Sequence, residues 1–128
     1  MKKYIDTKHI EAEPMTMGVA YEKNFLQSGR VPNESEKDKA GYHVKYENGY
    51  ESWSPAEPFE KAYKVADTPL DRMVIEYDEL KEKILKLDVF LGSEMFKTLD
   101  EKAKGLLSSQ YHIMIAYLNT LSVRIRLI

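Results

Sequence analysis

The hydrophobic positions change period about half way along the chain, from alternation typical of strands to the three-and-four spacing of helices. Across residues 3–14 apolar and polar positions alternate loosely and helix signals are missing, which predicts a first strand ending near Pro14. Residues 28–40 are polar and carry Gly29 and Pro32, the composition of a surface loop. From Gly41 the alternation is stricter: Tyr42, Val44 and Tyr46 stand against His43 and Lys45, Asn48-Gly49 follows as a turn, and Tyr50, Ser52 and Trp53 come after it. This pattern predicts a β-hairpin. Ser54-Pro55-Ala56-Glu57 then has the form of a capping box with proline at the first helical position, predicting a short helix through Tyr63.

Thr68-Pro69-Leu70-Asp71 is a second cap-like start. After it Leu70, Met73, Tyr77, Leu80, Ile84, Leu87 and Leu91 follow in steps of three and four, a heptad seam that stops at Gly92-Ser93. Thr98-Leu99-Asp100-Glu101 is a further capping box, opening a helix that runs to Arg126. Two long helices joined by a tight loop form an antiparallel hairpin. On the second helix a seam of Leu107, Gln110, Met114, Tyr117, Leu121, Arg124 and Ile128 is expected to face the first. Leu106, Tyr111, Ile113, Ile115, Leu118, Val123, Ile125 and Leu127 fall outside that seam. A helix apolar over most of its circumference is buried on most sides, so cover by a partner subunit is expected.

Charge sharpens this picture. Residues 105–123 contain no Asp, Glu, Lys or Arg, and Arg124 and Arg126 then arrive together. The rest of the chain holds all 21 acidic side chains. The net charge of −2 gives no global positive field for a nucleic-acid polymer, so any anion site is local. Ser108, Ser109, Gln110, His112, Asn119, Thr120 and Ser122 make the uncharged stretch too polar to span a membrane. The absence of cysteine excludes disulfides, thiol nucleophiles and zinc-thiolate sites, and the start of the chain lacks the apolar core of a signal peptide. A cytoplasmic chain is expected. At 128 residues it is expected to be one compact unit with two structural parts, residues 1–66 and 67–128.

Candidate chemistry points to binding. His9, His43 and His112 have no metal-ligand spacing, Asp100 and Glu101 belong to a first helical turn, and no phosphate loop or nucleophile elbow is present. No catalytic residue, metal or cofactor is assigned, and an enzyme is not expected. The recognition groups are nine tyrosines, Trp53, Phe59, Phe90, Phe96 and the terminal arginines. Aromatic faces stack on purines and guanidinium forks pair with phosphate oxygens, so their convergence at an interface suits a small nucleotide. Trp53 at the end of the sheet and Arg72 at the start of the helical part are chosen on that chemistry. Asn119 offers a paired hydrogen bond to an adenine edge.

Two segments carry a resemblance. Residues 41–55, with Phe59-Glu-Lys-Ala-Tyr63, resemble a segment common in small phage proteins. The hairpin has Phe90-Leu-Gly-Ser-Glu-Met-Phe96 at its tip and Gln110, Met114, Tyr117, Leu121, Arg124 and Ile125 on its second helix. It resembles the hairpin shared by the phage Thoeris and CBASS anti-defence sponges, and a sheet segment before it is closer to the Thoeris type. The resemblance implies an α+β fold, with a small N-terminal antiparallel β-sheet and a short helix followed by a long C-terminal antiparallel helical hairpin. It also implies a protein of the infected host's cytoplasm that sequesters glycocyclic ADP-ribose without cleaving it, with cyclic di- or trinucleotides held at separate sites in some members. A homo-oligomer of dimer units, a hexamer in some members, goes with it. Phe96, Gln110, Tyr117 and Arg124 fall on the hairpin pattern as expected ligand contacts. The alternative is a phage structural or regulatory oligomerisation protein without a nucleotide ligand.

Overall fold

The computed structural model describes residues 1–128, which divide into two compact units, Met1–Lys64 and Val65–Ile128. In the first, β1 (Ile10–Pro14), β2 (Gly41–Tyr46) and β3 (Glu51–Pro55) form one antiparallel sheet in that order. The predicted first strand is shorter than expected: Ile10 pairs with Tyr46, the last residue of β2, so the chain before Ile10 has no ladder to join. Between β2 and β3 the turn closes with Tyr46 N–H donating to Tyr50 O at 2.8 Å, and Gly49 takes the left-handed conformation (φ 88°) that favours glycine.

Because side chains alternate across the sheet, the pairings Glu13 with His43 and His43 with Trp53 place these three on one face. Val44, on the other face, is fully buried. His43 lies between Glu13 (3.0 Å) and Glu51 (3.1 Å), with its ring stacked on Phe25 at 4.0 Å. Helix α1 (Met17–Glu22), which the sequence pattern did not reveal, buries Met17 and Ala20; the Thr16 side chain caps it. Helix α2 (Ala56–Ala62) follows β3 directly and stacks Phe59 on Tyr42 at 4.1 Å. The expected capping box is absent. Pro55 is itself the N-cap, without a side-chain cap, and the Ser54 hydroxyl donates to its carbonyl.

The second unit is the predicted hairpin of α3 (Pro69–Leu91) and α5 (Glu101–Arg126), with a one-turn helix α4 (Glu94–Lys97) in the expected loop. Helix α3 starts on a full capping box: the Thr68 hydroxyl accepts from Asp71 N–H and the Asp71 carboxylate accepts from Thr68 N–H, each at 3.1 Å. The start of α5 differs from expectation. Asp100 is its N-cap, accepting from Ala103 N–H at 2.7 Å, while the Thr98 hydroxyl donates to Met95 O at the end of α4.

Leu80, Ile84 and Leu121 form the core of this unit, with Tyr77, Tyr111, Met114, Ile115 and Leu118 packed against them. The seam of α3 is as predicted from Met73 to Leu91, while Leu70, in the first turn, is exposed. That of α5 is corrected by one residue at alternate positions: Leu107, Tyr111, Met114, Leu118, Leu121 and Ile125 turn inward, whereas Gln110, Tyr117 and Arg124 are exposed, as is Ile128 beyond the end of the helix. Both readings share residues 107, 114 and 121 and differ only in whether three or four steps lead to the next inward residue. Burying Tyr111, Leu118 and Ile125 removes more apolar surface from water and leaves an amide and a guanidinium solvated, so that phase wins.

Candidate functional site

Displacement from the seam puts the hairpin's recognition residues on a flank of α5. Leu106, Gln110, Ile113, Tyr117, Thr120 and Arg124 repeat in steps of four and three, and all six are exposed. At about 100° per residue this spacing keeps them on one stripe, turned about 100° from the inward seam. Ile113 is 68% and Leu106 63% exposed, large values for apolar side chains on a continuous helix face.

Chemistry concentrates toward the end of this flank. The Glu76 carboxylate lies beside the Tyr117 hydroxyl and, mainly by accepting its hydrogen bond, pushes the phenol above its ordinary titration range; Arg124 acts weakly in the opposite sense. Tyr117, Glu76 and Arg124 are therefore neighbours. Arg72 stands one helical turn before Glu76, and its guanidinium reaches Ala66 O at 3.4 Å. Since α3 and α5 run antiparallel, Arg72 and Arg124 belong to the same end of the hairpin. Arg124 and Arg126 lie in the last turn of α5, where the helix dipole favours cations. Gln110 sits two turns before Tyr117 on the same stripe.

The remaining predicted residues lie elsewhere. Trp53 belongs to the first unit, where its indole N–H donates to Met15 O at 2.7 Å and its ring fills the space a side chain at residue 41 would need. Phe96 meets Phe90 edge to face at 6.2 Å and closes the hairpin tip. Asn119, two residues after Tyr117, points about 200° around the helix from it and is outside the stripe. Glu76 was missed by sequence reasoning, which named Leu106 and Ile113 only as apolar residues outside the seam and Thr120 only as a polar residue of the uncharged stretch. Their signal was a second heptad ridge one residue out of phase with the first.

No group of three or more His, Asp and Glu side chains is placed to hold a metal ion. Two open depressions of about 390 and 420 Å³ beside the β2–β3 turn share His9, Tyr46 and Glu47; none of the predicted residues lines them. No helix is long and apolar enough to cross a membrane.

Residues 67–127 match the model of the Sequestin family. The hairpin is therefore similar to the Sequestin family. The match runs from the Thr68 cap to the last turn of α5 and takes in the whole exposed stripe, so Arg72, Glu76, Gln110, Tyr117 and Arg124 all lie within the matched segment. Residues 1–66 lie outside it. No curated protein and no solved structure matches the chain.

Proposed function

We propose that the protein is a phage anti-defence sponge: a homo-oligomer that sequesters cyclic ADP-ribose-type immune signals, glycocyclic ADP-ribose foremost, without cleaving them. Cyclic di- or trinucleotides are further candidate ligands. The observation that carries this reading is a hairpin similar to the Sequestin family with Gln110, Tyr117 and Arg124 exposed on one flank that is free of charge from residue 105 to 123. The family's name itself speaks of sequestration. Tyr117 supplies a ring for stacking, Gln110 a paired donor and acceptor, and Arg72 and Arg124 guanidinium forks for phosphate oxygens. These groups hold a nucleotide; none forms the nucleophile and base pair that cleavage requires. Such a sponge works in the cytoplasm of the infected cell, where the signal is made.

The test is retention. Purified protein is incubated with glycocyclic ADP-ribose, free ligand is removed on a desalting column, and the protein is heated to release what it holds. Recovery of intact ligand in near-stoichiometric amount is expected. A hydrolysed product would make the protein an enzyme, and no retention of any cyclic nucleotide would leave an assembly protein without this ligand.

A further inference from the structure

Strand β1 is an edge of the sheet in the first unit, and its outer side is open. Met15 N–H donates to Gly41 O at 2.9 Å and Glu13 is paired with His43, so odd positions of β1 bond to β2 and even positions face away from it. Ile10 and Ala12 therefore turn their N–H and C=O groups outward, and Pro14, which has no N–H, closes the edge. Ahead of Ile10 the chain continues outside any strand, with Tyr4 88% and Ile5 91% exposed. Lys3, Asp6, Lys8 and Glu11 form no ion pair within the chain.

We infer that a second copy of this chain pairs with this edge: β1 and the residues before it lie antiparallel against the same segment of the partner, with the two-fold axis at Thr7, and the two sheets become one of six strands. Since the outward groups of β1 stand at even positions, a symmetric pairing joins even positions with even. With Thr7 opposite its own copy, Asp6 faces the partner's Lys8, Lys3 the partner's Glu11, Tyr4 the partner's Ile10 and Ile5 the partner's His9. Every charge from Lys3 to Glu11 then meets its opposite across the strands, and each of these relations occurs twice. Tyr4 extends the row that Ile10 already makes with Tyr46. Lys8 N–H, which donates to the Asp6 carboxylate at 2.8 Å, exchanges it for the backbone carbonyl of the partner's Asp6.

Other registers fail on the same residues. An axis at Asp6 or at Lys8 sets that charge against its own copy, and an axis at Ile5 sets Lys2 against the partner's Lys8. An axis at His9 leaves Lys8 against the partner's Ile10 and Asp6 against the partner's Ala12. A parallel pairing in register opposes every charge to itself. Only the antiparallel pairing about Thr7 uses the open edge, the exposed Tyr4 and Ile5 and the four uncommitted charges together. The contact belongs to the first unit and does not depend on which ligand the hairpin holds.

Disulfide crosslinking tests it, because the chain has no cysteine of its own. In this register the odd positions form the non-hydrogen-bonded pairs, whose Cα atoms lie about 4.5 Å apart, within disulfide reach. Thr7→Cys, oxidised with copper phenanthroline, is expected to form a crosslinked dimer about tenfold faster than Ile5→Cys or His9→Cys alone, while Ile5→Cys mixed with His9→Cys crosslinks faster than either. Equal rates for the three single variants would mean chance collision of the segments and would overturn the pairing. Absence of a Thr7→Cys dimer, the result expected if the edge takes a peptide of another protein, would also overturn it. Ala12→Pro removes an outward N–H that β2 does not use, so it should slow Thr7→Cys crosslinking about tenfold while Trp53 fluorescence reports a folded first unit. An unchanged rate in that variant would refute pairing through the edge of β1.

Discussion

Leu121 decides which face of α5 carries the hairpin's stability. It is 0% exposed, the one fully buried large side chain of this unit, and sits against the buried Leu80 and Ile84. Leu121→Ala removes buried methyl and methylene groups and leaves a cavity that two rigid helices close poorly, so the loss falls in the Leu→Ala range of about 2–5 kcal/mol. A unit of this size has a core worth only about 3–5 kcal/mol in net stability, so the variant should be close to half unfolded at room temperature. Leu85→Ala is the matched control: the same substitution at a position 57% exposed, expected to change stability by less than about 0.5 kcal/mol. Urea unfolding followed by far-ultraviolet circular dichroism reads the hairpin, which holds most of the helix. Trp53 fluorescence reads the first unit separately, since it is the only tryptophan and lies there. At the expected sizes Leu121→Ala lowers the helical midpoint by more than half while Leu85→Ala leaves it in place. Equal shifts in the two variants would refute the seam through residues 107, 111, 114, 118, 121 and 125.

Glycine substitutions are expected to act in opposite directions. Gly41→Ala drives a methyl into the Trp53 ring and the Ser54 carbonyl and should destabilise the first unit by about 1–3 kcal/mol or more, seen in Trp53 fluorescence. Gly105→Ala, in the interior of α5 with open space around it, should stabilise the hairpin by about 0.5–1 kcal/mol in the urea series. Thr68→Ala opens the capping box of α3 and should cost about 1 kcal/mol in the same measurement. Tyr117 gives a pH prediction. Its phenol is raised in the folded state by Glu76, so the associated stability is fully present below the ordinary tyrosine value of about 10 and is lost as pH rises from there through the raised folded value. Glu76→Gln should bring Tyr117 ionisation to lower pH in an NMR titration of ring-labelled tyrosine; an unchanged titration would place Glu76 away from the hydroxyl.

What the sequence disclosed follows from contrast between neighbouring positions. The seam of α3 is legible because Met73, Tyr77, Leu80, Ile84, Leu87 and Leu91 are apolar among Asp71, Arg72, Glu76, Asp78, Glu79, Lys81, Glu82 and Lys83, so only one phase hides the apolar side chains. Along α5 no charge marks the outside between residues 105 and 123, and Tyr111 and Gln110, or Leu118 and Tyr117, compete for the same inward step. Composition cannot settle that phase; packing against Leu80 and Ile84 does. Helix α1 escaped because six residues make less than two turns and show no period. Trp53 was read as a ligand face because an aromatic at a strand end has the same sequence signature whether it meets a ligand or, as here, a glycine and a backbone carbonyl. Tyr117 and Arg124 were picked out by resemblance, and the structure gives Tyr117 a carboxylate neighbour, Glu76, that lies forty-one residues before it and so had no local sign.

The two long helices of the hairpin present one seam each to the other, yet they treat their remaining surface differently. Helix α3 sets its exposed Val74, Leu85 and Val89 among charges, with Glu82 and Lys86 paired at 3.2 Å, which is how a water-facing helix keeps itself soluble. Helix α5 has the same amount of partner inside the unit and forgoes charge over residues 105–123, exposing Leu106, Ile113 and Tyr117 on one stripe. Packing within the hairpin cannot account for that difference, because it takes up residues 107, 111, 114, 115, 118, 121 and 125 and leaves Leu106 and Ile113 exposed. Nor does an internal ion pair hold Arg124, which has no carboxylate within salt-bridge distance while six lysine or arginine side chains elsewhere in the chain pair with a glutamate. An uncharged flank that ends in an uncommitted guanidinium, beside a phenol fixed by Glu76, is organised for contact with something outside the hairpin. An apolar partner suits its middle and an anion suits its end.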